Sequence, residues 1–447
     1  MSSKSYSLSI KHKIKPFSKS IEVDSDKSLS IRAFLIGSIS NKISYADNIL
    51  ESEDVFSTIK ACQKLGSKIL KIKSGKYKIH GNGLGSFFAK KNSLIDFGNS
   101  GTLARLLIGI LSTTPEISLR VTGDHSLKKR SMRELIEILQ KFGAIFLPKN
   151  KYKFPLKIIS SPMPVGINYK AGVSAQLKSA VIFAALNSYG NTKIIETKKS
   201  RDHTENLLIK NIQAVKIYNK KKKIIKVFGK KYLDPININV PGDVSSSAFF
   251  AALTLLNRKS SLKIKNVGFN STRTGFYKLL KKNNAKIIFS NIKKKNNELR
   301  ADIQIKSSKI KPIIASSDYY VNSTDEYPIL FVIAAMTKGT SIFKGISDLK
   351  NKESNRIIEM QKILKQIGVK SVFNDENLKI FGKGIIDASK KKIYVPNLGD
   401  HRICMASFIL AVLTGAKVKI KNFETVNSSS PSFLKIMKNL GAKFEVK

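Results

Sequence analysis

One phrase recurs six times along the chain, and its spacing constrains the fold more tightly than any other feature. An amphipathic helix ends, a break residue follows, and an apolar, mostly Lys-bearing strand begins. The copies are Gln63-Lys-Leu-Gly-Ser-Lys-Ile69, Gln140-Lys-Phe-Gly-Ala-Ile-Phe146, Lys210-Asn-Ile-Gln-Ala-Val-Lys-Ile217, Lys281-Lys-Asn-Asn-Ala-Lys-Ile287, Lys365-Gln-Ile-Gly-Val-Lys-Ser371 and Lys438-Asn-Leu-Gly-Ala-Lys-Phe444. With the breaks at Gly66, Gly143, Gln213, Asn284, Gly368 and Gly441, the successive spacings are 77, 70, 71, 84 and 73 residues. Gly and Asn tolerate the left-handed conformation that closes a helix, so each phrase reads as helix stop followed by strand. Near-constant spacing over six copies predicts a repeat architecture.

A second helix precedes each phrase and is apolar on most faces: Ser28 to Gly37, Gly101 to Leu111, Ala175 to Leu186, Ser246 to Leu256, Glu326 to Met336 and Arg402 to Leu413. Helices apolar all round belong inside a large core. Alternating runs such as Lys193 to Thr197 and Ser341 to Gly345 supply strands between them. The expected class is α/β, with the six repeats grouped as two domains of three. The longest apolar stretches, Ala248 to Leu256 and Tyr327 to Met336, reach roughly ten residues against the about 20 that cross a bilayer, so no span is expected. The opening Met1 to Ile10 lacks the apolar core of a secretory signal. Cys62 and Cys404 show neither a disulfide framework nor metal-ligand spacing, which fits a reducing cytoplasm.

The formal charge of +49 raises the question of a polyanionic partner. The cations are 69 Lys against 11 Arg, scattered in short runs such as Lys220 to Lys223 and Lys293 to Lys295. A dedicated nucleic-acid surface is more often rich in Arg and interleaved with aromatics. The composition therefore reads as a solvated, Lys-biased surface of the kind an AT-rich genome produces, with RNA or DNA binding as the alternative.

What begins the buried helices points to chemistry. Their approaches are Asp24 to Ser28, Gly98 to Thr102, Gly172 to Gln176, Gly242 to Ser246, Asn322 to Glu326 and Gly399 to Arg402. Helix N-termini attract phosphates and carboxylates. Capping alone explains Ser, Thr, Asp and Asn at such ends, but not Lys27, Arg32, Gln176, Arg402 or a Gly-Asn-Ser-Gly loop. Seven of the 11 Arg, at 32, 105, 130, 201, 273, 356 and 402, lie at helix starts or in polar motifs. A rare planar guanidinium suits bidentate anion binding, with a structural salt bridge as the alternative for Arg105 and Arg273. Arg356 opens a helix, where a cation is unfavourable unless an anion is bound. Glu353 and Asp325 are candidates for acid/base work. His203 and His401 read as structural hydrogen-bonding groups. Walker, Rossmann, nucleophile-elbow and zincin signatures are absent.

In order along the chain, Asp26-Lys-Ser-Leu-Ser-Ile-Arg32, Asp96-Phe-Gly-Asn-Ser-Gly-Thr102, Ser174-Ala-Gln-Leu-Lys-Ser179, Ser200-Arg-Asp-His-Thr-Glu205, Val240-Pro-Gly-Asp-Val-Ser-Ser246, Thr272-Arg-Thr-Gly275, Asp325-Glu-Tyr-Pro-Ile-Leu330, Lys352-Glu-Ser-Asn-Arg356 and Asp400-His-Arg402 resemble the 3-phosphoshikimate 1-carboxyvinyltransferases, nearly end to end. The Ser-Ala-Gln and Arg-Asp-His-Thr-Glu wording is similar to the family's second class, whose members are often glyphosate tolerant. The resemblance implies a two-domain inverted α/β barrel of six similar repeats, enolpyruvate transferase-like. One lobe would comprise residues 1–20 plus 242–447 and the other 21–241, with the active site in the cleft between them. It implies transfer of the carboxyvinyl group of phosphoenolpyruvate to the 5-hydroxyl of 3-phosphoshikimate, in the shikimate pathway, by a cytoplasmic monomer with no cofactor, no metal, no membrane and no specific nucleic-acid partner.

Carried over by motif, Lys27, Ser28, Arg32, Ser174, Ala175, Gln176, Arg201, Asp325 and Lys352 would bind 3-phosphoshikimate. Lys27, Asn99, Gly101, Arg130, Gln176, Arg356 and Arg402 would bind phosphoenolpyruvate. Asp325, Glu353 and Lys27 would be catalytic. Asp24-Ser25 replaces the family's usual Pro-Gly and is expected to add a negative charge beside a phosphate site. Ser131 stands where a Pro is usual, and a late Lys used by many first-class members is not evident around Asn427 to Ser432. The sister enzyme, UDP-N-acetylglucosamine enolpyruvyl transferase, is the enzymatic alternative. It uses a Cys-bearing loop, which neither Cys62 nor Cys404 matches. A basic nucleic-acid-binding protein is the alternative of another class, and it explains the charge but not the motif order.

Overall fold

The computed structural model describes residues 5–219 and 222–447. Lys220 and Lys221 of the basic run, and residues 1–4 of the opening segment, lie outside the described residues. The repeats appear as six four-stranded sheets among the described residues. In the second repeat, Ser118–Thr122 pairs in parallel with Leu94–Asp96 and antiparallel with Leu156–Ile159, which carries Ile145–Leu147 on its other edge. The third repeat repeats this pattern with Asn191–Glu196 between Asn168–Ala171 and Lys223–Phe228, and Val215–Asn219 outermost.

Two compact units divide the chain. One holds the residues through Asp24, Pro241–Lys294 and Leu299–Lys447; the other holds Ser25–Val240 and Lys295–Glu298. Each has three of the sheets and its own hydrophobic core. Within each unit the ends of the segment are joined through a sheet. Asn237–Asn239 lies in parallel beside Asn41–Asp47, while Leu8–Ile10 inserts between Lys417–Ile420 and Phe444–Val446. Ser18–Glu22 pairs with Ser261–Gly268, which keeps it with the Pro241–Lys294 unit.

The apolar helices form the cores. They span Lys27–Ile39, Gly101–Leu111, Ala175–Leu186, Val244–Leu256, Tyr327–Ala335 and His401–Thr414, and nearly every residue after the first turn of each is buried. Where the start differs from expectation, the cap explains it. Asp26 accepts from Leu29 N–H at 2.8 Å, Asp243 from Ser245 N–H at 2.7 Å, and Asp400 from Arg402 N–H at 3.0 Å, so these helices begin one or two residues early. The fifth begins one residue late, after a 3₁₀ turn over Thr324–Glu326, with Pro328 in its first turn.

Five of the six break residues take the left-handed conformation, with φ of +95° at Gly66, +92° at Gly143, +70° at Asn284, +78° at Gly368 and +97° at Gly441. Gln213 does not. The helix there is short, His203–Leu208, and the chain leaves it through a turn in which Asn211 C=O accepts from Ala214 and Val215 N–H at 2.9 and 2.8 Å.

The third repeat is held by a buried ion network. Lys178, with its side chain fully buried, lies 2.6 Å from Glu196 and 2.7 Å from Glu205, and Glu196 also accepts from Ser200 Oγ at 2.7 Å. Burial alone would lower the ammonium pKa, but the two carboxylates outweigh it and hold Lys178 above its ordinary range. Removing one partner of such a pair strands charge in a low-dielectric site. Lys178→Met should therefore cost about 3–5 kcal/mol in unfolding free energy, read from the urea midpoint at constant m-value.

Candidate functional site

The expected site residues fall into two clusters, one in each unit. In the Ser25–Val240 unit, Lys27 is the first residue of its helix, and its Nζ lies 3.0 Å from Asp54. Ser28 follows, half-buried. Arg32, one turn on, is buried. It donates to Thr204 Oγ1 at 2.8 Å, Ser28 C=O at 3.0 Å and Ser179 Oγ at 3.2 Å, which ties the first repeat to the third. Ser174 caps the Ala175–Leu186 helix through Leu177 N–H, leaving Ala175 and Gln176 half-buried in its first turn. Arg201 lies half-buried just before His203–Leu208. His203 meets Glu298 at 2.8 Å through Nδ1, the structural hydrogen bond expected of it.

Asn99, Gly101, Arg130 and Gln176 come together around one backbone position. Arg130 donates to Asn99 Oδ1 at 2.9 Å and Ser126 Oγ at 3.4 Å. Gln176 donates to Thr102 Oγ1 at 3.0 Å and accepts from Arg105 Nη1 at 3.0 Å. Arg105 Nη1 also reaches Gly101 C=O at 3.1 Å. A methyl built on Gly101 would sit 2.8 Å from Arg105 Nη1 and 3.0 Å from Arg130 Nη1, so both guanidinium tips converge on the glycine. Arg105 is thus a member of the cluster, a residue for which the sequence kept a structural salt bridge as the alternative to anion binding. Its signal was its place four residues after Gly101, on the same helix face.

The second cluster, in the unit containing Pro241–Lys294, centres on Arg356. Its buried guanidinium meets Asp400 at 2.9 Å through Nε, Glu353 at 2.6 Å through Nη2, and Asp325 at 3.8 Å through Nη1. Burial would lower its pKa, but Asp400 and Glu353 outweigh this and hold it above its ordinary range. The anion that a helix-opening arginine demands is therefore present as the protein's own carboxylates. Lys352 turns away from this group to Asp348, at 2.6 Å, over the ring of Tyr320.

Arg402 presents a different geometry. It is 4% exposed, lies over the Phe249 ring at 5.8 Å, and has Nε and Nη1 buried without a hydrogen-bond partner. Arg273, by contrast, is the structural ion pair that was one option for it, 3.5 Å from Asp243. Two unmet guanidinium donors in the first turn of the His401–Thr414 helix fit a carboxylate or phosphate, since buried donors are otherwise paired.

Neither cysteine resembles a nucleophile. Cys62 and Cys404 are buried within helices; burial pushes the Cys62 thiol up to about 12, and Cys404 is likewise raised.

The architecture is that of enolpyruvyl transferases. The enolpyruvyl transferase NikO of Streptomyces tendae aligns over 99% of both chains with TM-score 0.78 and 10% identity, a likeness of fold alone. EPSP synthase from Acinetobacter baumannii aligns with TM-score 0.85 and 32% identity over 99% of this chain and 100% of its own. The family model of EPSP synthase (3-phosphoshikimate 1-carboxyvinyltransferase) matches residues 11–437. The 3-phosphoshikimate 1-carboxyvinyltransferase of Zymomonas mobilis is 36% identical over 98% of this chain and 97% of its own, and that of Paramagnetospirillum magneticum 34% over 96% of each. The chain belongs to the EPSP synthase family. The two-domain α/β fold expected from the resemblance is the one found.

The departure at Asp24 has a local explanation. Its carboxylate accepts from Ser430 Oγ at 2.9 Å and Ser432 N–H at 3.0 Å, both through Oδ2, within its own unit. The negative charge is thus held by those donors. Burial raises its pKa. With the folded-state pKa above the unfolded one, the native state holds the proton more tightly, so Asp24 loses stability as pH rises from the ordinary carboxylate range through the raised value. Asp24→Asn keeps an acceptor for both bonds and should flatten that decline. Asp24→Ala loses both and should cost about 1–3 kcal/mol at either end of the range. Urea midpoints at acidic and neutral pH measure both effects.

Proposed function

We propose that the residues of the two clusters handle two anionic substrates. The chain is a 3-phosphoshikimate 1-carboxyvinyltransferase, which transfers the carboxyvinyl group of phosphoenolpyruvate to the 5-hydroxyl of 3-phosphoshikimate in the shikimate pathway. In this reading Lys27, Ser28, Arg32, Ser174, Ala175, Gln176 and Arg201 hold 3-phosphoshikimate. Asn99, Gly101, Arg130, Gln176, Arg356 and Arg402 hold phosphoenolpyruvate, and Lys27 reaches both. Asp325 orients the 5-hydroxyl and takes its proton. Glu353 moves a proton to and from the methylene carbon, and Lys352 binds substrate beside it. The reaction proceeds without a cofactor, in a monomer, in the cytoplasm.

The observation that carries the assignment is Arg402, a buried guanidinium with two unmet donors at a helix start. Preorganised cations and N–H groups of this kind stabilise developing charge without reorganising at the moment of reaction. A phosphate-release assay with both substrates tests it. Glu353→Gln should lower kcat by about 10²- to 10⁴-fold, the usual worth of a positioned proton-transfer group, while 3-phosphoshikimate binding stays near wild type. Lys27→Met should weaken both substrates by at least about tenfold, as expected for loss of a charged hydrogen bond. Full turnover by Glu353→Gln would remove it from the proton-transfer step.

Glyphosate probes the phosphoenolpyruvate side. Gly101, having no side chain, lets the Arg105 and Arg130 tips converge on its backbone, so inhibition should be stronger than the second-class wording implies. Gly101→Ala forces the two guanidinium tips to move and should weaken glyphosate more than phosphoenolpyruvate. Inhibition and Michaelis constants of both proteins decide it, and parallel losses of the two ligands would defeat the steric argument.

A further inference from the structure

The sheet of the third repeat carries a row of like charges on its solvent face. Lys193 stands directly opposite Lys226, and Lys226 opposite Lys216, on three adjacent strands. All three are exposed. Like charges in register destabilise a sheet, and among the described residues of these four strands none on this face is acidic. The neighbouring rows are Asn191 with Phe228 on one side, and Lys170, Ile195, Ile224 and Tyr218 on the other. Some sheet lysines elsewhere are ion-paired: Lys263 lies 3.1 Å from Asp302, Lys71 2.8 Å from Glu51, and Lys76 3.4 Å from Asp47. Here the ammonium groups rest on rings instead, Lys216 over Phe228 at 5.5 Å and Lys226 over Tyr218 at 5.7 Å.

We propose that this face docks single-stranded nucleic acid without sequence preference, phosphates along the lysine row and bases against Phe228 and Tyr218. Adjacent strands lie about 4.8 Å apart, so the row offers a line of charge that matches a polyanion better than a single phosphate. A cationic track flanked by aromatic rings is the arrangement that binds single strands, because every base has a face to stack. A duplex keeps its bases stacked and inaccessible to those rings. The proposal concerns a surface apart from the transferase residues and does not depend on their assignment.

The net charge of +49 attracts any polyanion, so the test must localise the binding. Anisotropy of a fluorescein-labelled oligouridine and of a duplex of equal length is measured with the full chain across a salt series. The triple variant Lys193→Ser, Lys216→Ser, Lys226→Ser is compared with a control that loses the same charge at the exposed Lys60, Lys64 and Lys141. The row variant should lose at least about tenfold in single-strand affinity and about 2 in the salt slope, at about 0.7 per phosphate contact. The control should lose far less, and Tyr218→Ser should weaken binding without changing the slope. Both triple variants should keep transferase activity, which verifies their folding. Should the row variant fail to fold, Lys226→Ser alone carries the comparison, as the central member of the row. Equal losses in row and control variants, duplex binding as tight as single-strand binding, or no binding at all would overturn the proposal.

Discussion

Six helices with apolar side chains on every face leave the chain little freedom. Such helices are stable only when surrounded, so the sheets and outer helices of each unit must enclose them. Burial removes their sides from any role in chemistry and leaves their N-terminal ends, where N–H groups lack partners and a partial positive charge accumulates. Lys27, Gly101, Ala175, Gln176 and Arg402 all lie in the first turn of one of these helices. The same constraint that makes the core therefore leaves these helix starts as the places where an anion could be met.

Holding charge at those ends has a cost that the surrounding groups offset. Arg356 is fully buried and shares its guanidinium among Asp400, Glu353 and Asp325. The pairing with these three carboxylates limits the desolvation penalty of the buried guanidinium. Asp400 has a further task, because it also caps the helix that presents Arg402. One side chain thus couples the position of the paired arginine to the backbone of the arginine with unmet donors.

The repeats, the buried helices and most site motifs were legible because each is written locally: a periodicity, a break residue, a run of polar residues at a helix start. Pairing between distant segments was not. Asn237–Asn239 completes a sheet with Asn41–Asp47 across nearly the whole unit, and no local pattern specifies that partner. Side-chain direction was equally hidden. Asp24 and Lys352 were read by their neighbours in sequence, yet Asp24 bonds Ser430 and Ser432, and Lys352 bonds Asp348. Gln213 shows the same limit from the backbone side: the phrase was present, but a helix of six residues ended without a left-handed turn.

The distribution of the two basic residue types follows from what each costs to bury. Lys outnumbers Arg 69 to 11 in the sequence. Among the described residues, however, the buried cationic side chains are Arg32, Arg273, Arg300, Arg356 and Arg402 and a single lysine, Lys178. An ammonium is a compact, strongly hydrated charge, so it enters the core only where two carboxylates replace its water, as Glu196 and Glu205 do. A guanidinium spreads its charge over a planar fork and accepts neutral partners as well. Arg32 counts two hydroxyls and a carbonyl among its acceptors, a spread of directions that suits a planar fork. Drift toward Lys is thus free on the surface and disfavoured where a cation must be buried, and five of the six buried cationic side chains among the described residues are arginines.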